Sequence, residues 1–170
     1  MGRFEVVIAD LDGTLIETLS GKSFPEGIWD MRIRFGVLNA IRALEPKCLI
    51  IVTNQGGISA GYVDEGAFKT KLAYIQQAVS AFLGIPVFTK YCSSMDKDNA
   101  WRKPNIGMLV SALHDMIVAR VVDSSFSFSK STVLMVGDAS GLEGQFSDSD
   151  KVFAERAGVS YIDVGDLLRG

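Results

Sequence analysis

The chain has 170 residues, 48% apolar and 22% charged. This composition excludes a disordered tract and suffices for a core that needs no disulfide or metal to form. With 17 basic and 20 acidic side chains the net charge is −3, so no overall basic field draws it to nucleic acid, and no apolar run approaches the ~18–20 residues of a membrane span.

The opening MGRFEVVIADLDG goes straight into a strand and reads as no signal peptide. Cys48 and Cys92 make no disulfide framework and fit a reducing compartment, so the expected location is cytoplasmic, or nuclear in a eukaryote. Residues 4–9 (FEVVIA) read as a buried strand. Val37, Leu38, Ile41 and Leu44 mark a short helix, and residues 48–52 (CLIIV) a second strand. Asp64 is placed to cap a long helix in which Phe68, Leu72, Ile75, Val79 and Leu83 recur at steps of three and four, and Gly84 stops it. Residues 85–91 read as a third strand, at an edge because Pro86 lacks a backbone donor. Pro104 reads as a helix start, with Ile106, Leu109, Leu113 and Ile117 on one face. Residues 132–136 (TVLMV) are a fourth strand. Ser147 or Asp148 caps a helix running through Arg156 and ended by Gly158, and residues 159–162 are a short fifth strand. Residues 14–30 and 123–131 (DSSFSFSKS) have no regular period, and the second reads as a solvated connection. Strand alternating with helix predicts an α/β fold, a Rossmann-like parallel sheet flanked by helices in three layers, with residues 1–170 forming one domain.

Four polar signals fall after strands or ahead of a helix, where open α/β sheets bind ligands. In Asp10-Leu11-Asp12-Gly13-Thr14, carboxylates two residues apart at a strand end point the same way, and Gly13 permits the turn that follows. In Thr53-Asn54-Gln55-Gly56-Gly57, a hydroxyl followed by backbone N–H groups suits phosphate oxygens. In Arg102-Lys103-Pro104, Lys103 supplies a point cation. In Gly137-Asp138-Ala139-Ser140-Gly141, the carboxylate suits a hard cation such as Mg²⁺. A carboxylate that attacks a phosphate meets like-charge repulsion, which nearby cations relieve.

In this order and on these elements, DLDGT, TN, RKP and GD resemble the haloacid dehalogenase (HAD) superfamily of phosphohydrolases over nearly the whole chain. The resemblance implies that Asp10 is a nucleophile that becomes an aspartyl phosphate. It implies that Asp12 is the general acid and then the base, and that Thr53 and Lys103 hold the phosphoryl group. Mg²⁺ would be held by Asp10, the Asp12 main-chain carbonyl, Asp138 and a second acid. That acid is open between Glu143, Asp148 and Asp150; reading residues 141–149 as an insertion favours Asp150. The stretches from Asp10 to Thr53 and from Thr53 to Lys103 are too short for a separate cap, so the expected enzyme is capless with an open crevice.

Finer matches, Ser20-Gly21-Lys22-Ser23-Phe24-Pro25 with Asp30, Thr53 to Ile58, and Arg102-Lys103-Pro104 with Gly107-Met108, resemble the phosphatase domain of polynucleotide kinase 3′-phosphatase. This implies a 3′-phosphorylated DNA or RNA end as substrate, with Lys22, Asn54 and Arg102 as binding residues, a separate kinase or ligase as the candidate partner, and a monomer. Ala60 stands where such phosphatases can carry an arginine. Histidinol-phosphate and heptose-bisphosphate phosphatases share the four motifs but carry a Cys/His zinc cluster, and residues 91–102 (YCSSMDKDNAWR) hold one Cys and no His. His114 reads as a surface or core-edge residue, and Trp29 and Trp101 read first as packing residues. A catalytically idle binding subunit is the reading from a different class, against which both Asp10 and Asp12 speak.

Overall fold

A computed structural model of the protein describes residues 4–170. The chain opens with β1 (Val6–Ala9), then makes a small antiparallel hairpin of β2 (Ile16–Glu17) and β3 (Arg32–Ile33) before α1 (Phe35–Ala43). The alternation continues with β4 (Cys48–Asn54), α2 (Glu65–Leu83), β5 (Val87–Cys92), α3 (Gly107–Val118) and β6 (Val133–Gly137). It closes with α4 (Ser149–Ala157), β7 (Ser160–Asp163) and α5 (Val164–Arg169). The main sheet has the order β5-β4-β1-β6-β7, every pair parallel, with β5 at an edge.

The central strands carry unbroken apolar runs, over β1, β4 as far as Val52 and β6 as far as Val136, because both faces of the sheet are covered there. Val7 and Ala9 of β1, Leu49 and Ile51 of β4 and Leu134 and Val136 of β6 enter one core with Val37, Leu38 and Ile41 of α1 and Phe68, Leu72, Ile75 and Val79 of α2. The alternate residues Val6, Ile8, Cys48, Ile50, Val52, Val133 and Met135 enter a second core with Met108, Leu109, Ala112 and Met116 of α3 and Phe153 and Ala154 of α4. Alternation of side chains across the strand thus builds the three layers. The Asp64 carboxylate accepts from the Ala67 N–H at 2.8 Å at the start of α2, and Gly84 ends that helix at a φ of 71°.

Several expectations need correction. β4 runs two residues beyond the apolar run, so Thr53 and Asn54 end the strand rather than follow it. α3 starts at Gly107, after a turn in which the Asn105 N–H donates to the Arg102 carbonyl, so Pro104 is not its first residue. Its buried face is Met108, Leu109, Ala112 and Met116, while Ile106, Leu113 and Ile117 are only half-buried. GMLVSALHDMIV is apolar nearly all round, so its period alone selects no face. The segment 123–131 is not simply solvated: Phe126 and Phe128, edge-on at 5.5 Å, pack against the second core. α5 carries no period because it has six residues; it is held by Asp163, whose carboxylate caps the Gly165 N–H at 2.8 Å, and by buried Val164 and Leu167. Among the described residues, no helix is long and apolar enough to cross a membrane.

Candidate active site

The strand order reverses at β1, with β4 on one side and β6 on the other, and the crevice outside such a switch point is where these sheets bind ligands. The carboxyl ends of β1, β4 and β6 deliver Asp10, Thr53 and Asp138 to that point. The Asp10 N–H donates to the Val136 carbonyl at 3.0 Å, which continues the sheet by one rung. The chain then turns sharply: the Leu11 carbonyl accepts from the N–H groups of Thr14, Leu15 and Ile16. Gly13 makes this turn at a φ of 81°, and a Cβ there would collide with the Asp138 carboxylate. Gly137 is needed in the same way, since its Cβ would overlap Asp150. From outside, Arg34 Nη1 donates to the Gly13 carbonyl at 2.5 Å and so braces the turn.

The floor of the site is buried and charged. Asp10 is 7% exposed, Lys103 4%, Asp150 1% and the neutral Thr53 1%. Lys103 Nζ donates to Asp10 Oδ1 at 2.6 Å and to Asp150 Oδ1 at 2.7 Å. Thr14 Oγ1 donates to the other Asp10 oxygen at 3.3 Å, and the Ala139 N–H donates to Asp150 Oδ2 at 3.2 Å. Asp10, Asp138 and Asp150 offer oxygens that all lie within 4.8 Å of one another. Three carboxylates face one ammonium, and the electrostatics record the imbalance. Burial, reinforced by the charges of Asp150 and Asp138, pushes Asp10 up to about 8 although Lys103 pulls the other way. Burial and Asp150 push Asp138 up to about 6. Burial works to lower Lys103, but Asp10 and Asp150 more than offset it and hold the ammonium above its ordinary range. Two uncompensated negative charges and a purely oxygen donor set match a small divalent cation such as Mg²⁺.

Asp12, by contrast, is exposed at the mouth. Its Oδ2 accepts from Gln55 Nε2 at 2.7 Å, and the same nitrogen donates to Thr53 Oγ1 at 2.8 Å. Asn54 faces the other way and grips the Lys103 main chain: its Oδ1 accepts from the Lys103 N–H at 2.9 Å and its Nδ2 donates to the Lys103 carbonyl at 3.1 Å. Asn54 is therefore placed to position Lys103, whereas the sequence suggested contact with substrate.

Not every residue singled out in the sequence lies here. Lys22 is exposed on the loop after β2 and pairs with Glu26. Arg102 donates to the Ser94 carbonyl at 2.8 Å and lies beside Gly56, near the site but outside the carboxylate cluster. Of the three alternatives for the second acid, Asp150 joins the cluster, Asp148 is the residue before α4 and Glu143 is exposed. His114 is exposed on α3. Trp29 meets Tyr74 edge-on at 5.7 Å, and Lys90 Nζ lies 6.0 Å from the Trp101 ring centre. Sequence reasoning missed the roles of Gln55 and Arg34. Gln55 stood beside the Thr53-Asn54 pair, two residues from Thr53 and so on the same side of an extended chain; nothing local marks Arg34.

Comparison with known proteins extends these findings. A model of the family "Polynucleotide kinase 3 phosphatase" matches residues 5–164. A bifunctional polynucleotide phosphatase/kinase of Schizosaccharomyces pombe is 35% identical over 159 residues, covering 89% of this chain and 34% of its own, so the chain spans about a third of that relative. A D-glycero-beta-D-manno-heptose-1,7-bisphosphate 7-phosphatase of Haemophilus ducreyi is 29% identical over 169 residues, covering 94% of this chain and 81% of that one. Among solved structures, the D,D-heptose 1,7-bisphosphate phosphatase of B. bronchiseptica, complexed with magnesium and phosphate, superposes with a TM-score of 0.63 at 23% identity, covering 93% of this chain and 79% of that one.

Proposed function

The chain belongs to the polynucleotide kinase 3 phosphatase family, and from that premise we propose that it is a HAD-type phosphatase that removes phosphate from the 3′ ends of nucleic acid through an aspartyl phosphate on Asp10, residues 1–170 acting as one domain. The observation that carries this reading is the buried floor, in which Asp10 lies 2.6 Å from Lys103 and within 4.8 Å of the Asp138 and Asp150 oxygens. An Asp10 oxygen attacks phosphorus while the bond to the leaving 3′ oxygen breaks and Asp12 gives that oxygen a proton. Water then attacks the aspartyl phosphate, Asp12 takes back a proton, and Asp10 is regenerated as phosphate leaves. Lys103 and the Thr53 hydroxyl hold the phosphoryl oxygens through both steps. Mg²⁺, held by Asp10, Asp138, Asp150 and the Asp12 main-chain carbonyl, would neutralise the charge that otherwise keeps a phosphate dianion from a carboxylate.

The 3′-end assignment draws on three supports: the family match, the lack of room for a cap between Asp10 and Lys103, and the SGKSFP loop after β2 with exposed Lys22 and Phe24. Lys22 and Arg102 are the candidate contacts to the adjoining phosphodiesters. A phosphomonoester panel tests the reading. A 3′-phosphorylated oligonucleotide should give a higher kcat/KM than its 5′-phosphorylated isomer, a 3′-mononucleotide or heptose bisphosphate, and the margin should shrink with salt as backbone contacts release counterions. Preference for the heptose bisphosphate would assign the chain to the other class of relative, and no hydrolysis of any ester in Mg²⁺ would make it a binding subunit. Chelator should abolish turnover, and Mg²⁺ should raise the melting temperature by relieving the surplus charge.

A further inference from the structure

Gln55 is the least expected participant in the site. Its main chain is fixed: the Gln55 N–H donates to the Cys92 carbonyl at 2.7 Å, one step beyond the β4–β5 ladder, and its own carbonyl accepts from the Ile58 N–H at 3.1 Å. Thr53 and Gln55 are two apart on extended chain and point to the same side. Asp12, 43 positions earlier, is exposed, and the Gln55 amide is the group that holds its carboxylate. We propose that Gln55 is a positioning residue that aims the Asp12 carboxyl at the leaving oxygen and turns the Thr53 hydroxyl toward the phosphoryl group.

The chemistry of an amide supports this assignment. One NH₂ has two hydrogens to donate, and here its nitrogen lies 2.7 Å from Asp12 Oδ2 and 2.8 Å from Thr53 Oγ1. Thr53, accepting from Gln55, keeps its own hydrogen for a phosphoryl oxygen. Asp12 accepts on Oδ2, so its transferable proton belongs on Oδ1. That proton goes to the leaving oxygen as the P–O bond breaks and the Asp10–phosphorus bond forms. A proton from water returns to Oδ1 as water binds phosphorus and the Asp10–phosphorus bond breaks. The Gln55 amide neither gains nor loses a proton across the cycle, so it orients Asp12 without competing with it. The inference rests on the phosphatase reading and is independent of the choice of nucleic acid.

Two simple esters test it. A nitrophenolate leaves without a proton, whereas phenolate leaves slowly unless an acid protonates it. General acid catalysis typically supplies ~10²–10⁴-fold. In Gln55→Leu, kcat/KM for phenyl phosphate should fall about 10-fold further than for p-nitrophenyl phosphate, and kcat should fall for both, because Asp12 also serves the second step. An Asp12→Asn enzyme should show a split in the same direction and at least as large, and adding Gln55→Leu to it should widen the split no further. Equal losses on the two esters, or no loss on either, would overturn the proposal. If Gln55→Leu fails to fold, Gln55→Glu, which keeps the size and turns a donor toward two acceptors into an acceptor, should give the same split. Both esters lack nucleotides, so a failed 3′-end preference and a failed role for Gln55 would appear in separate measurements.

Discussion

The floor of the site and the loop over residues 18–30 are built in opposite ways. On the floor, the bonds that fix Lys103 reach far along the chain: Lys103 meets Asp10 across 93 positions and Asp150 across 47, and Asn54 meets Lys103 across 49. In the loop, the hydrogen bonds stay within residues 18–30. The Asp30 carboxylate accepts from the Ser20 N–H at 2.8 Å, the Ser20 hydroxyl at 2.6 Å and the Glu26 N–H at 2.8 Å, Thr18 donates to the Lys22 carbonyl at 2.7 Å, and Lys22 pairs with Glu26. Those hydrogen bonds, from the Ser20 hydroxyl above all, hold Asp30 down to about 2. The floor therefore exists only when the sheet is assembled, whereas the hydrogen bonds of the loop are its own, and it rests on the rest of the molecule through Ile28 and Trp29. Changes to the floor should alter chemistry, and stability with it where they strand a buried charge, and changes to the loop should alter recognition alone.

The largest effect should come from the nucleophile. Asp10→Asn keeps the shape but removes the attacking charge, so hydrolysis should fall by ~10³-fold or more. Because the floor holds surplus negative charge, the variant should melt no lower than the parent in chelator, and calorimetry checks this. Lys103→Met should lose both properties. It strands two buried carboxylates, and breaking a buried pair costs about 3–5 kcal/mol, so its denaturant midpoint should drop sharply along with turnover. Asn54→Ala should be milder. It loses the two hydrogen bonds that seat Lys103, each worth about 0.5–1.5 kcal/mol net, and kcat/KM should fall about 10-fold on every ester alike. The smallest effect belongs to the loop. Asp30→Ala should raise KM for a 3′-phosphorylated oligonucleotide several-fold and leave p-nitrophenyl phosphate unchanged. Equal effects on the two substrates would erase the distinction between floor and loop.

The same contrast explains what could be read in the residues. The sheet was legible because its central strands are apolar on both faces, and Asp10, Thr53, Lys103 and Asp138 were legible because each stands at a strand end or ahead of a helix. Partnership across the chain was not. Asp150 was one of three alternatives until the segment after Asp138 folded back, with the Gly141 N–H on the Ser147 carbonyl and the Ser140 N–H on Gln145 Oε1, which turns α4 so that Asp150 faces Lys103. The grip of Asn54 on the Lys103 main chain and the bridge from Gln55 to Asp12 arise from tertiary structure and have no local pattern. The face of α3 was misjudged because an all-round apolar helix has no preferred side, and Phe126 and Phe128 were hidden among serines.

The central claim is covalent capture by Asp10, and trapping the intermediate tests it most directly. The Mg²⁺-loaded protein, mixed with an excess of phosphomonoester and quenched in acid within one turnover, should carry a phosphoryl group on the peptide that contains Asp10. The label should disappear on chase with unlabelled substrate and be absent from Asp10→Asn. Steady turnover with no labelled protein at any quench time, or a label on another peptide, would contradict the account.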